Sequence, residues 1–354
     1  RVPTATMTSG RSPAGIEKRS KVTDRSESKV AHRLRRERGA GWVLAGPAVR
    51  MGGMPDRRAL LPWLALLVIY VVWGSTYLAI RVVVQEAPPL VSAGLRFLVA
   101  GLLMALAAWR LDGAKAWPSP RQLRQYALIG VLLLSFGNAL VMWAEKSVPS
   151  GIAALIVATV PLWMTLLDGL RPGGEPWTVR VWLGVGLGLA GVALVARPGD
   201  AQEAWTWAGV AALQVASLSW TVGSLYAQSL PEKLPLCSAS AVEMLAGAGV
   251  LFLESLLARE DWSRLPAASP QAWGALAYLV VFGSIVGFTA FAYCLDQLPA
   301  ATVGTYAYVN PAVAVALGFL VLGEPLSPGL LTGGALILAA VLLTTLRPRR
   351  APRR

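Results

Sequence analysis

The sequence predicts an all-α polytopic membrane protein with ten transmembrane helices arranged as two inverted five-helix repeats. Three observations support this fold class. The 354 residues are 55% hydrophobic and only 14% charged, whereas soluble domains are about 25% charged. Apolar segments of the roughly 20 residues needed to cross a bilayer follow one another along the chain. Motifs of the first half also return in the second half at a nearly constant spacing.

Ten apolar segments approach the spanning length, and the connections between them are too short for a separate soluble domain. They cover about residues 62–83, 90–109, 126–144, 150–168, 180–197, 205–226, 237–258, 272–293, 300–322 and 329–346. From these segments we predict four parts of the chain. They are a disordered basic tail (1–56), a first five-helix repeat (57–199), a second five-helix repeat (200–347) and a basic cytoplasmic C-terminus (348–354).

The net charge of +13 is concentrated in the tail, because residues 1–50 hold 12 Lys and Arg against 4 Asp and Glu. The charge therefore does not indicate a nucleic-acid partner. The tail has almost no apolar periodicity, which is typical of disorder. It either contacts anionic lipid or does not belong to the functional protein. The second alternative is favoured because position 1 is not Met, while Met51 and Met54 directly precede the first apolar segment.

The basic residues of the connections predict the orientation of the spans, because Lys and Arg accumulate on the cytoplasmic side. With a cytoplasmic N-terminus, the connections after residue 50 place fourteen Lys and Arg inside and five outside. An even number of spans agrees with this assignment. We therefore expect both termini to be cytoplasmic.

An internal repeat links the two halves of the chain. The stretch Pro149–Pro161 (PSGIAALIVATVP) returns 150 positions later as Pro299–Pro311 (PAATVGTYAYVNP), and Gly137 matches Gly287 at the same offset. Because each half holds an odd number of spans, the second half must enter the membrane from the opposite side. In secondary transporters with such inverted repeats, substrate sites lie near the membrane midplane between the halves.

Prolines interrupt the fourth and ninth segments at corresponding positions, Pro161 and Pro311. A proline removes an amide donor and frees the carbonyl four residues back. Lipid tolerates this only where protein or a water-filled cavity satisfies the backbone. We therefore predict helix breaks at both prolines, close to the substrate site.

Several longer motifs are shared with a known family. They are IYVVWGSTYLAIR in the first segment, AGLRFLVAG in the second, AEKSVPSGIAALIVATVPL across the third and fourth, and TYAYVNPAVAVALG followed by GEPL in the ninth. Together they resemble the EamA-type permeases of the drug/metabolite transporter superfamily, and within it the YedA-type metabolite exporters. The resemblance covers about residues 60–347.

The resemblance implies an inner-membrane protein that exports small metabolites or amino-acid-like compounds by alternating access. The partners it implies are a small-molecule substrate and the lipid bilayer, without nucleic acid, cofactor or metal, and a homodimer stays open. It does not imply a particular substrate, because members with similar motifs handle different compounds.

Polar and aromatic residues of the ninth and first segments are candidates for a substrate cavity. Tyr306 and Asn310 are four residues apart and share a helix face, as do Trp73 and Tyr77. The alternative for Tyr306 and Asn310 is hydrogen bonding to a neighbouring helix, and for each tryptophan it is ordinary packing. Asn138 beside Gly137, Trp143 in the third segment and Trp220 in the sixth complete the candidate set.

Arg96 lies about seven residues into the second segment and Glu243 about seven residues into the seventh, where charges are costly and often functional. Inversion places them at mirrored depths, roughly 10 Å apart along the membrane normal, so a direct salt bridge is not implied. Arg96 either neutralises a substrate carboxylate or pairs with a helix-end carbonyl. Glu243 is the candidate for a proton-linked site, because a buried carboxyl holds its proton more tightly. The alternative is a glutamate satisfied by Ser and Thr neighbours.

Other charges and glycines have structural interpretations. Glu145, Lys146 and Asp296 lie at the ends of the third and eighth segments and are predicted to be gate or interfacial charges. The small-xxx-small spacings Gly184–Gly188 and Gly329–Gly333 predict close packing of the fifth and tenth helices.

An intramembrane enzyme is the competing functional class. The single histidine, His32, lies in the tail, which removes HExxH metalloprotease chemistry and any Ser-His or Cys-His pair from residues 51–354. Cys237 and Cys294 lie in separate apolar segments and indicate neither a disulfide nor a zinc site. A membrane channel is the third class, because inverted halves also occur in some channels.

Overall fold

A computed structural model describes residues 57–113, 117–170, 177–195, 207–298, 303 and 305–345. The predicted tail (1–56), the predicted C-terminus (348–354) and the side chain of Asp296 lie outside this description. Within it the secondary structure is helical, which agrees with the predicted all-α class. The helices are α1 (Arg57–Glu86), α2 (Pro89–Leu111), α3 (Pro120–Ala144), α4 (Ser150–Val157 and Val160–Asp168), α5 (Val179–Val195), α6 (Trp207–Ser229), α7 (Leu236–Leu257), α8 (Pro270–Tyr278, Leu279–Val286 and Gly287–Gln297), α9 (Tyr306–Leu317 and Gly318–Leu322) and α10 (Pro328–Thr345).

Hydropathy identifies these helices as membrane-spanning candidates. In the described residues, seven are long and apolar enough to cross a bilayer, and three apolar helices, Val179–Val195, Val309–Leu322 and Pro328–Thr344, are shorter. Large apolar side chains such as Trp63, at 55% exposed, cover the outside of the bundle. A surface of this kind is stable in lipid, where apolar side chains lose nothing by exposure. The chain is therefore a polytopic membrane protein.

Helices α2 and α7 run antiparallel, and each caps the other. Asp112, just after α2, accepts hydrogen bonds from the amide (3.1 Å) and hydroxyl (2.6 Å) of Ser238 at the start of α7. Glu260, just after α7, accepts from the amides of Leu90 (3.0 Å) and Val91 (2.9 Å) at the start of α2. A carboxylate at a helix N-terminus satisfies free amides and interacts favourably with the helix dipole. The end of each helix thus stabilises the start of the other.

Helices α5 and α10 also run antiparallel, and small residues form their contact. Gly184 faces Thr344 near the end of α10, while Gly191, two turns further on, faces Gly333 and Ile337. A Cβ on Gly191 would lie 2.7 Å from the carbonyl oxygen of Gly333, so the two backbones approach too closely for any side chain. The predicted small-residue packing of these two helices is found at this contact.

Four of the described helices depart from regular α geometry. α3 is π-helical over Val131–Ala139, α8 over Leu279–Val286 and the end of α9 over Gly318–Leu322. α4 is interrupted by a turn at residues 158–159, directly before Pro161. At Pro311, in contrast, no break occurs, because α9 continues as a helix from Tyr306 to Leu317. One missing amide is tolerated inside a helix when neighbouring groups satisfy the freed carbonyls.

Substitution of Gly191 tests the α5–α10 contact. We expect Gly191→Ala to lower the midpoint of thermal unfolding of the purified protein, because overpacking costs about 1–3 kcal/mol. Gly186 lies on the same helix, with no atom within 4 Å of an added Cβ. Gly186→Ala should therefore leave the midpoint unchanged or raise it, since alanine favours a helix by about 0.5–1 kcal/mol over glycine. Equal midpoints for the two variants would contradict the contact.

Candidate functional site

A cavity inside the bundle collects most of the residues that the sequence singled out. It encloses about 840 Å³ of space not filled by atoms, part of it open to solvent. Its walls come from α1, α2, α3, α4, α6, α8 and α9, so helices from both halves of the chain contribute. The lining residues are Trp73, Thr76, Tyr77, Ile80, Arg96, Gly137, Asn138, Val141, Ala154, Val157, Ala158, Val160, Ala216, Ser217, Trp220, Gly283, Phe288, Tyr306, Ala307, Asn310 and Pro311.

Trp73 is the centre of an aromatic wall. Its ring centroid lies 5.1 Å from that of Phe291, 5.3 Å from Tyr306, 5.7 Å from Phe288 and 6.3 Å from Trp220. The rings of Tyr306 and Trp220 stand nearly perpendicular to it, at 88° each, which is a favourable edge-to-face arrangement. One side chain of α1 therefore joins α6, α8 and α9.

The orientation of Trp73 depends on α8. Its indole Nε1 donates a hydrogen bond of 3.3 Å to the carbonyl oxygen of Gly283, inside the π-helical part of α8. A Cβ on Gly287 would overlap the indole ring. Gly287, which corresponds to Gly137 in the repeat, thus leaves the space that the indole ring of Trp73 needs.

Arg96 brings a positive charge to the wall of the cavity. It is 2% exposed. Its Nε donates to the hydroxyl of Ser284 at 2.9 Å, and its Nη1 donates to Oδ1 of Asn138 at 3.1 Å. Both acceptors are neutral, so these bonds position the guanidinium without cancelling its charge. A buried cation with neutral partners is costly, and it attracts an anionic group.

Both partners of Arg96 lie in π-helical segments, Asn138 in α3 and Ser284 in α8. A π-helical turn holds more residues than an α-helical turn, which turns side chains to new directions and is frequent at functional sites. The two irregular segments therefore hold the two acceptors of one guanidinium.

Asn310 lies at the α9 side of the cavity and is 7% exposed. With its amide nitrogen towards the neighbouring carbonyls, it donates to the carbonyl oxygens of Tyr70 and Tyr306, each at 3.2 Å. Asn310 thus connects α9 to α1, in agreement with the alternative of hydrogen bonding to a neighbouring helix. It also lines the cavity.

Most predicted site residues meet at this cavity, but several do not. The residues brought together are Trp73, Tyr77, Arg96, Asn138, Trp220, Tyr306, Asn310 and Pro311. Trp143 is 38% exposed and is not among the lining residues. Pro161 and Glu243 do not line the cavity either. The backbone of Glu243 packs against Gly130 near the start of α3.

The predicted gate charges behave differently from one another. Glu145 is 0% exposed, although its position at the end of α3 predicted an interfacial charge. The neighbouring Lys146 has an exposed side chain, as an interfacial charge should.

Sequence reasoning missed parts of the site. Phe288 follows Asn138 by 150 residues, so the spacing that matched Gly137 to Gly287 could have identified it. Ser284 had no sequence signal, because a single serine in an apolar helix usually bonds to its own backbone.

Comparison with known proteins gives the family of this membrane protein. The sequence profile of the EamA-like transporter family matches the chain twice, at residues 61–197 and 207–346. The chain belongs to the EamA-like transporter family. It is therefore a transporter and not an enzyme.

Individual relatives agree with this assignment. The chain is 42% identical over 292 residues to the uncharacterized inner membrane transporter YedA of Escherichia coli (strain K12), covering 81% of this chain and 92% of that protein. It is 29% identical over 289 residues to a probable terminal-alkyne amino-acid exporter of Streptantibioticus cattleyicolor, covering 80% and 93%. The chain is thus a multi-pass inner-membrane transporter of a small-molecule substrate.

A solved crystal structure shares the fold. It superimposes with a TM-score of 0.55 at 22% sequence identity, covering 81% of this chain and 96% of that chain. At this identity the similarity concerns the fold alone.

The charge of Arg96 predicts that the cavity binds ligands with a carboxylate group. We expect Arg96→Gln to weaken binding of a carboxylate ligand about 10- to 100-fold, because a hydrogen bond to a charged group contributes about 1.5–3 kcal/mol. Quenching of the fluorescence of cavity tryptophans by a panel of amino acids would measure this. The corresponding amino-acid amides, which lack the carboxylate, are the control, and their binding should change little. Equal losses for acids and amides would show that Arg96 acts only on the structure.

Proposed function

We propose that this protein is a secondary exporter of small metabolites or amino-acid-like compounds, working by alternating access. The observation that carries the proposal is the cavity between helices of both halves, with an aromatic wall around Trp73 and a buried guanidinium at Arg96. An apolar surface and a single fixed cation fit a small molecule with a carboxylate at one end and an apolar part at the other. An amino acid has this chemistry.

Alternating access requires two halves that can move relative to each other around the site. We propose that residues 57–199 and 200–347 are inverted repeats of five spans each. Two observations support this proposal. The family profile matches once in each half, and helices at equivalent positions, α2 with α7 and α5 with α10, pack antiparallel. Rocking of one half against the other would then expose the cavity to each side in turn.

The substrate class takes further support from a relative. The Streptantibioticus cattleyicolor relative is named as a probable terminal-alkyne amino-acid exporter. A compact apolar side chain of that kind suits a wall of Trp73, Phe288 and Tyr306. We also propose that transport is coupled to protons. The sequence analysis named Glu243 as the candidate for the proton-linked site.

An efflux screen tests the proposed transport. Cells producing the protein should tolerate toxic amino-acid analogues, a terminal-alkyne amino acid among them, at higher concentrations than cells without it. We expect Trp73→Ala and Tyr306→Ala to reduce the efflux rate at least tenfold, because each removes part of the aromatic wall.

Trp109 provides a matched control for this screen. It lies on α2 and is 62% exposed on the outside of the bundle, so Trp109→Ala should transport normally. Membrane levels of all variants would be compared with a fluorescent tag. Undiminished efflux by both cavity variants would contradict the site assignment.

Reporter fusions test the proposed orientation. A reporter active only in the cytoplasm should be active when fused to the C-terminus, because the spans are even in number and the connections are basic on that side. An activity found only with a periplasmic reporter would overturn the orientation.

A further inference from the structure

Glu145 is a buried acid that the transport site described so far does not use. It follows α3, with its amide donating to the carbonyl of Val141 at 3.0 Å. The residue is 0% exposed. Neither of its carboxylate oxygens has a hydrogen-bond partner. An ionised carboxylate in this environment lacks both solvent and donors.

The charged groups around Glu145 are Arg81 of α1 and Glu324 of the α9–α10 connection. Arg81 donates to the backbone carbonyl of Glu145 and, at 3.5 Å, to that of Val148. It is therefore directed at carbonyls at the end of α3. The side chain of Lys146, the adjacent basic residue, is exposed.

Glu324 is fully engaged at the start of α4. Its Oε1 accepts from the amide (2.8 Å) and hydroxyl (2.9 Å) of Ser150, and its Oε2 accepts from the amide of Gly151 (3.1 Å). Glu324 therefore has a donor for each of its carboxylate oxygens, whereas Glu145 has none.

The charge balance then assigns a proton to Glu145. Around Glu145, Arg81 contributes one positive charge and Glu324 one negative charge. A second negative charge on Glu145 would be uncompensated, and it would lie at the C-terminus of a helix, where the dipole disfavours an anion. Burial also favours the uncharged carboxyl. The protonated form of Glu145 leaves the cluster neutral.

A row of side chains on α1 connects this cluster to the cavity. Trp73, Tyr77 and Arg81 are spaced by four residues and so lie along one face of the helix. Trp73 and Tyr77 line the cavity, and Arg81 reaches the end of α3. Tyr77 is also within electrostatic range of Glu145. A change of charge on Glu145 therefore changes the electrostatic potential at Tyr77, in the wall of the substrate cavity.

We propose that Glu145 is the group that binds the coupling proton. Protonation converts the carboxylate to a neutral carboxyl and needs no other reactant. Loss of the proton gives Glu145 a negative charge within electrostatic range of the carboxylate of Glu324. Their repulsion favours separation of the α9–α10 connection from α4, which belong to different halves of the chain. In the proposed orientation this end of the bundle faces the periplasm, from which protons enter.

The coupling role depends on the proposed transport function, whereas the proton site itself can be tested without a substrate. Infrared difference spectra of the full-length protein in lipid nanodiscs, recorded over a pH series, detect the C=O band of a protonated carboxyl. We expect Glu145→Gln to remove a band that is present near neutral pH. Glu254 is the matched control, since it lies at the same end of the bundle but accepts a hydrogen bond of 2.6 Å from Ser135. Glu254→Gln should keep the band.

Transport in proteoliposomes tests the coupling. With a compound exported in the efflux screen, an imposed pH gradient should drive accumulation by the wild type and by Glu254→Gln. With Glu145→Gln, this gradient-driven accumulation should be at least tenfold lower than with the wild type. Glu145→Asp, which restores a carboxyl, should recover part of it.

Each outcome of these two experiments decides one of the two proposals. A band undiminished in Glu145→Gln, or gradient-driven accumulation equal to wild type, overturns the inference and leaves the transport function standing. Loss of accumulation in Glu243→Gln but not in Glu145→Gln also overturns the inference about Glu145. Accumulation that depends on a sodium gradient and not on a pH gradient overturns it as well. Loss of the band in Glu145→Gln supports the proton site even if the screen finds no exported compound, a result that would contradict the transport function alone.

Discussion

Arg96 carries a positive charge into the apolar interior of the bundle, and much of the site is arranged around that charge. Its guanidinium needs acceptors, and Ser284 and Asn138 provide them from two π-helical segments. It also needs space, and Gly283 provides it, because a Cβ there would lie 3.1 Å from Nη2. Neutral acceptors orient the cation without neutralising it. The position left for a negative charge is therefore in the cavity.

Acids at the helix ends solve a second problem of a membrane bundle, which is to satisfy free backbone amides where water is scarce. Glu260, Glu86 and Glu324 each accept bonds from the first residues of a helix in the other half of the chain. Asp112 does the same at the opposite end. These four contacts lie at the helix ends, where they join residues of the two halves of the chain.

The sequence predicted the all-α class and most of the cavity, because apolar length and four-residue spacing are local properties. Trp73 and Tyr306 could be identified in this way. Trp143 could not be placed, since its rotation on α3 depends on the π-helical segment before it. The helix continues through Pro311, although proline in a helix interior usually produces a kink or a break. The burial of Glu145 required knowledge of what covers the end of α3.

The two proposed repeats differ in their polar residues, and this difference bears on the proposed direction of transport. At the offset of 150, Asn138 corresponds to Phe288, Asn310 to Val160 and Glu145 to Leu295. A symmetric pair of ends, each with the same charges, would respond to pH equally on both sides of the membrane. A titratable group at one end only, as proposed for Glu145, couples the opening of that end to the proton concentration of the compartment it faces. Inverted halves would then supply the two conformations, and the unmatched acid would determine which of them the proton gradient favours.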